Sequence, residues 1–111
     1  MVWLPCPYLD GDVELTAERE AHIRLDHSEV LPAFLNELRE TVREPDTVLS
    51  RIEGERAFVR QWPQLLGGKG LMVVVVTDPV PSIPEARPRH WIVTAYIVRR
   101  LPRWKTEWAR T

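Results

Sequence analysis

Two of the chain's three histidines, His22 and His27, bracket the short stretch "HIRLDH". An imidazole takes or gives a proton near neutral pH, so a closely spaced pair suits general acid–base chemistry. Plotted at 100° per residue, Leu15, Arg19, His22 and Asp26 share one narrow helical face, with Ile23 beside it and His27 further round. The best-aligned stripe is therefore ionisable where a core stripe is expected. Arg19 and Asp26, one turn either side, are placed to orient His22 and tune it. Blander readings stand beside this one. His22 could be a hydrogen-bonded structural histidine, and His27 could end the helix against the negative end of its dipole. Arg19 and Asp26 could form a surface ion pair worth under about 1 kcal/mol. As metal ligands, His22 and Asp26 supply two groups at i, i+4, but no third joins them and no cysteine cluster is present. Cys6 has no base near it in sequence.

The elements that must position these residues follow from capping and periodicity. Thr16 is a suitable N-cap, and Glu18 and Glu20 suit the positive end of a helix dipole, so a first helix is expected over 16–27. A second is expected from Pro32 to just before Pro45, with Leu31, Phe34, Leu35, Leu38 and Val42 in one apolar stripe. Four strands follow: "TVLSRIE", "RAFVRQW", "GLMVVVVTD" and "WIVTAYIVRR". The valine run predicts a central strand covered on both faces. In the last strand, alternation groups Ile92, Thr94, Tyr96 and Val98; in the second it groups Phe58, Arg60 and Trp62. Residues before 16 read as irregular, 79–89 as a stiff proline-rich loop, and the tail as a short helix or a fifth edge strand. The expected fold is α+β, with two N-terminal helices packed on a four-stranded antiparallel sheet.

The 111 residues suit one domain over 1–111. A single cysteine rules out an intramolecular disulfide and fits a reducing cytoplasm. No apolar run reaches the roughly 20 residues of a membrane helix, and the start lacks the pattern of a signal peptide. A cytoplasmic chain with no membrane partner is expected. The net charge of −1 divides sharply: residues 1–46 carry −7 and residues 47–111 carry +6. Such a chain can hold a polyanion on its basic side, unless the two halves neutralise each other across the fold.

In order, "LTAEREAHIRLDHSE", "EPDTVL", "RAFVRQW", "GKGLMVVVV" and "WIVTAY" resemble the phage and bacterial barnase–EndoU–colicin–RelE-like (BECR-fold) nuclease families, over roughly residues 15–108. The most specific part is Arg19, His22, His27 and Glu29 combined with Thr94-Ala95-Tyr96. This chain has His27-Ser28-Glu29 where those families often have His-Pro-Glu, and its proline-rich loop is longer. The resemblance implies a small metal-independent endoribonuclease, needing no cofactor, in which the ribose 2′-OH attacks the adjacent phosphorus to leave a 2′,3′-cyclic phosphate. On that reading His22 is general base or acid, Arg60 binds the phosphate, and Thr94 and Tyr96 supply hydroxyl hydrogen bonds. Arg19, His27, Arg51 and Lys69 would bind substrate. RNA is the expected partner, with an antitoxin or immunity protein if the chain is a toxin or phage-derived effector. The alternative is a catalytically inactive RNA- or protein-binding module of the same fold, for which the five tryptophans (Trp3, Trp62, Trp91, Trp104 and Trp108) speak.

Overall fold

The computed structural model describes residues 1–65, 67–78 and 87–111. Most of the expected proline-rich loop, residues 79–86, lies outside them. The chain is α+β as expected, but its sheet is larger and mixed. Seven strands, counted among the described residues, take the order β1-β2-β6-β5-β4-β3-β7. They are β1 Val2–Cys6, β2 Gly11–Leu15, β3 Thr47–Ser50, β4 Glu55–Gln61, β5 Gly70–Thr77, β6 His90–Val98 and β7 Lys105–Ala109. Neighbours are antiparallel except β2 and β6, which run parallel for two residue pairs, Val13 with His90 and Glu14 with Trp91.

The expectation of four antiparallel strands fails at both ends of the chain. Residues before 16 are not irregular. Val2, Leu4 and Cys6 turn inward while Trp3 and Pro5 turn out, the period-two pattern of a half-buried strand. Pro5 is tolerated because β1 is an edge strand, where a missing N–H costs no ladder bond. Leu15 accordingly ends β2 and does not belong to the helix. The tail takes the edge-strand option as β7, beside β3.

The helices are α1, Ala17–Asp26, and α2, Leu35–Arg43. Thr16 caps α1 as expected, its hydroxyl accepting the Arg19 N–H at 3.2 Å. Helix α2 starts later than Pro32, because residues 28–34 turn and drive Val30 and Leu31 into the core. Leu38 and Val42 are fully buried on the stripe the sequence predicts. Neither helix is long and apolar enough to cross a membrane.

Strand β5 is buried on both sides and divides the interior in two. Leu71, Val73 and Val75 face the helices with Phe58, Ile92 and Ala95. Met72 and Val74 face the other way with Leu49, Ala57 and Val59. We call these the helix face and the far face. A bulge between Val74 and Val75 in the β5–β6 register shifts the alternation in β6. Ile92 therefore joins the helix face, while Val93 and Tyr96 pack on the far face, so Ile92 and Tyr96 do not share a side as alternation alone suggests.

The sheet also curls. Strands β1 and β7 are at opposite ends of the order, yet Tyr8, just after β1, meets Trp108 of β7 with ring centroids 6.0 Å apart. Tyr8 also packs edge-on against Phe58 at 5.9 Å. Below them Arg56 donates to both carboxylate oxygens of Glu107, at 2.9 and 3.1 Å. Near the same end His90 is buried, with its Nδ1 2.7 Å from the Thr77 hydroxyl.

Two measurements check this packing. Leu38→Ala should lower stability by about 2–5 kcal/mol in denaturant unfolding. His90 is held below its ordinary pKa of 6.5 by burial and by the Arg56 charge. The folded state then disfavours the protonated ring, so this contribution is intact above 6.5 and is lost as pH falls below it. The melting temperature of wild type should drop more steeply than that of His90→Gln on going from about pH 7 to about pH 5.

Candidate functional site

Strand β6 needs α1. Beyond Trp91 the β2 partner has left, and the chain that formed β2 continues as α1, which packs against β6. Ile23 is the one fully buried side chain of α1; the rest of the helix stays at the surface, and its ionisable line is carried along the sheet edge. His27 follows as C-cap and reaches the far face.

There the two histidines and one strand residue come together. The His27 ring stacks on Tyr96 with centroids 5.5 Å apart and 28° between planes. His22 meets His27 edge-on, with centroids 6.4 Å apart. Each imidazole has its own carboxylate: His22 Nδ1 lies 3.1 Å from Asp26 Oδ2, and His27 Nδ1 lies 3.5 Å from Glu29 Oε1. A carboxylate at Nδ1 favours the tautomer with its proton there and leaves Nε2 for other work. Both rings are about one-third exposed, at 36% and 30%. Arg19, one turn before His22 and half-buried, has no side-chain hydrogen bond or ion pair among the described residues.

The remaining residues singled out from sequence are dispersed. Arg60 stands on the helix face: its register partner is Leu71, whereas Tyr96 pairs with Met72 on the opposite side of the same sheet. Its guanidinium lies 4.4 Å from the Trp62 ring centroid and donates to the Glu44 carbonyl just past α2. That is where a helix end favours a cation. Trp62 in turn donates to Thr41 Oγ1 at 3.0 Å, so Arg60 belongs to the clamp on α2 and does not join the histidines. Thr94 sits beside Tyr96 on the far side, paired with Val74, but its hydroxyl oxygen is buried and has no partner among the described residues. Arg51 is ion-paired with Glu55 at the β3–β4 turn, with its guanidinium 4.4 Å from the Trp104 ring centroid. Lys69 precedes β5 at the end of the sheet where Gly70 pairs with Val98. Glu29 was visible only through the resemblance; helical spacing misses it because residues 28–29 lie past the helix end.

Among the described residues, two clefts lie elsewhere. One of about 390 Å³ is lined by Arg51, Glu55, Arg56 and Lys105; another of about 600 Å³ by Tyr8, Pro45, Trp108 and Arg110. The two histidines, each about one-third exposed, line neither of these clefts. Among the described residues no three His, Cys, Asp or Glu side chains are grouped to hold a metal ion. No protein-family model, curated protein or solved structure matches the chain.

The stacked arrangement is directly measurable. Tyr96→Leu should remove the ring-current shift on the His27 imidazole protons, moving them downfield in the proton NMR spectrum while those of His90 stay in place. Unmoved His27 signals would show that the two rings do not stack in solution.

Proposed function

We propose that the chain is an endoribonuclease that cleaves RNA by attack of the ribose 2′-OH on the adjacent phosphorus, without a metal ion or cofactor. The observation that carries the reading is the pair of imidazoles with centroids 6.4 Å apart, each with a carboxylate close to its Nδ1. Two rings at this separation suit a phosphodiester that presents one oxygen to each, at the roughly 3 Å that proton transfer needs. One imidazole removes the 2′-OH proton. As the P–O5′ bond breaks, the other protonates the departing oxygen, leaving a 2′,3′-cyclic phosphate and a 5′-hydroxyl. Arg19 supplies the cation for charge building on the phosphoryl oxygens, a role its planar donors suit. The exposed part of Tyr96 helps hold the neighbouring base by stacking. Arg60 has no part in this scheme, and neither does the buried Thr94 hydroxyl.

Such an activity, in the cytoplasm, would harm the cell that makes it. The chain then acts as a toxin or phage-derived effector, held in check by an antitoxin or immunity protein. One observation favours the alternative of a non-catalytic binding module: the arginine best matched to a phosphate site from sequence, Arg60, is engaged with Trp62 and Glu44.

Incubation of the purified chain with total RNA in EDTA separates the two. The enzyme reading expects products with 5′-hydroxyl and 2′,3′-cyclic phosphate ends, and a rate about 10²–10⁴-fold lower in His22→Ala and in His27→Ala. Wild-type rates in both variants would sink the assignment of acid and base. Intact RNA under every condition would favour the binding module.

A further inference from the structure

The connection from β6 to β7 carries a second feature. Strand β6 lies inside the sheet and β7 beyond β3 at its edge, so residues 99–104 must pass β5, β4 and β3 to join them. They do so over the far face, where Trp104 packs against the Leu49–Val74 cluster. The far face is also the side on which Tyr96 receives His27.

This crossover is strongly cationic. Arg99, Arg100, Arg103 and Lys105 fall within seven consecutive residues, and all four are exposed. None of them takes an acidic partner among the described residues, whereas Arg24, Arg43, Arg51, Arg56, Arg89 and Arg110 all do. The row begins three residues after Tyr96, about 10 Å along an extended chain. Lys69 lies at the same end of the sheet, directly before the Gly70 that pairs with Val98. At its other end Trp104 is pinned beneath the Arg51 guanidinium, 4.4 Å away. Unpaired cations at short intervals, leading away from a site of phosphoryl chemistry on a segment anchored by Trp104, match a single-stranded polyanion.

We propose that residues 99–105 form the track that holds single-stranded RNA alongside the two-histidine edge. Arg99, Arg100 and Arg103 contact successive phosphates, and Trp104, held between Arg51 and the apolar cluster, anchors the track to the sheet. The inference rests on the ribonuclease reading for its choice of nucleic acid, and it is tested apart from cleavage. The probe is a fluorescein-labelled 2′-O-methyl oligouridylate, which cannot be cut because the attacking hydroxyl is blocked.

Fluorescence anisotropy should show binding that weakens linearly in a log–log plot against salt. In Arg99→Ala/Arg100→Ala/Arg103→Ala the affinity should fall by roughly tenfold or more, and the slope should decrease by about 2. The matching triple lysine variant should keep the wild-type slope, since each charge remains; a circular dichroism spectrum confirms that both variants are folded. Equal affinity and slope in wild type and the triple alanine variant would overturn the track. So would equal binding of polyglutamate and the oligonucleotide by wild type, which would make the crossover a docking surface for an acidic protein. If natural RNA is not cleaved while the probe binds as described, the ribonuclease reading fails and the track stands.

Discussion

The site depends on an unfinished pairing. Strand β6 has a full antiparallel partner in β5 on one side, but on the other β2 offers it only Val13 and Glu14 before the chain turns away. An open edge of this kind must be covered or charged, because its unpaired backbone groups otherwise invite another strand. Here the covering element is α1, joined to β2 by the Thr16 cap alone. The short link leaves α1 little freedom except to lie along β6. The coverage that closes the sheet is thus the same act that carries His22 and His27 to Tyr96. The β2–β6 contact is itself reinforced by Arg89, which donates to both oxygens of the buried Glu14 at 2.8 and 3.1 Å. This ion pair sits beside the short stretch where β2 and β6 pair.

The divided charge of the chain finds a partial resolution in the same contacts. Among the described residues, two ion pairs join the acidic and basic halves, Glu14 with Arg89 and Asp46 with Arg110. The rest pair within a half: Glu20 with Arg24 and Glu40 with Arg43 in the first, Glu55 with Arg51 and Glu107 with Arg56 in the second. Neutralisation across the fold is therefore local, and the surplus positive charge stays concentrated after β6. Surface pairs of this sort contribute little stability. Their arrangement matters more for the field they leave behind, which is positive over the crossover of the far face.

How far the residues could be read in advance depended on what kind of information each placement needs. Strands β3 to β6 and the Thr16 cap were legible because their signals are local: β-branched runs, a positive-φ turn at Gly54, a hydroxyl before acidic residues. Strands β1 and β2 were obscured by Pro5, Pro7 and "DGD", which read as breakers although the inward alternation of Val2, Leu4 and Cys6 was present. The grouping of Phe58, Arg60 and Trp62 was sound, and so was that of Thr94 with Tyr96. What alternation cannot supply is which group faces the helices. That choice is made by the apolar stripe of α2, which selects Phe58 and Trp62 and takes Arg60 with them. The bulge at Val93 adds a second loss, since one extra residue reverses the side assigned to everything on one flank of it.

Helix α1 contributes little to the core, and this bears on how precisely the imidazoles are held. With Ile23 as its only fully buried residue, burial alone fixes its distance from the sheet more than its rotation. Rotation must come from directional contacts, and these are the ones made by the histidines themselves: the Tyr96 stack, the Asp26 and Glu29 carboxylates, and the edge contact between the two rings. A stack of this type adds about 0.5–1.5 kcal/mol beyond the area it buries, enough to select one helix orientation among several of similar packing. The groups that could act on a phosphodiester are then also the groups that set their own geometry. Changing Tyr96 should disturb His22 through His27, although Tyr96 and His22 lie on different elements and the link between them is a single ring.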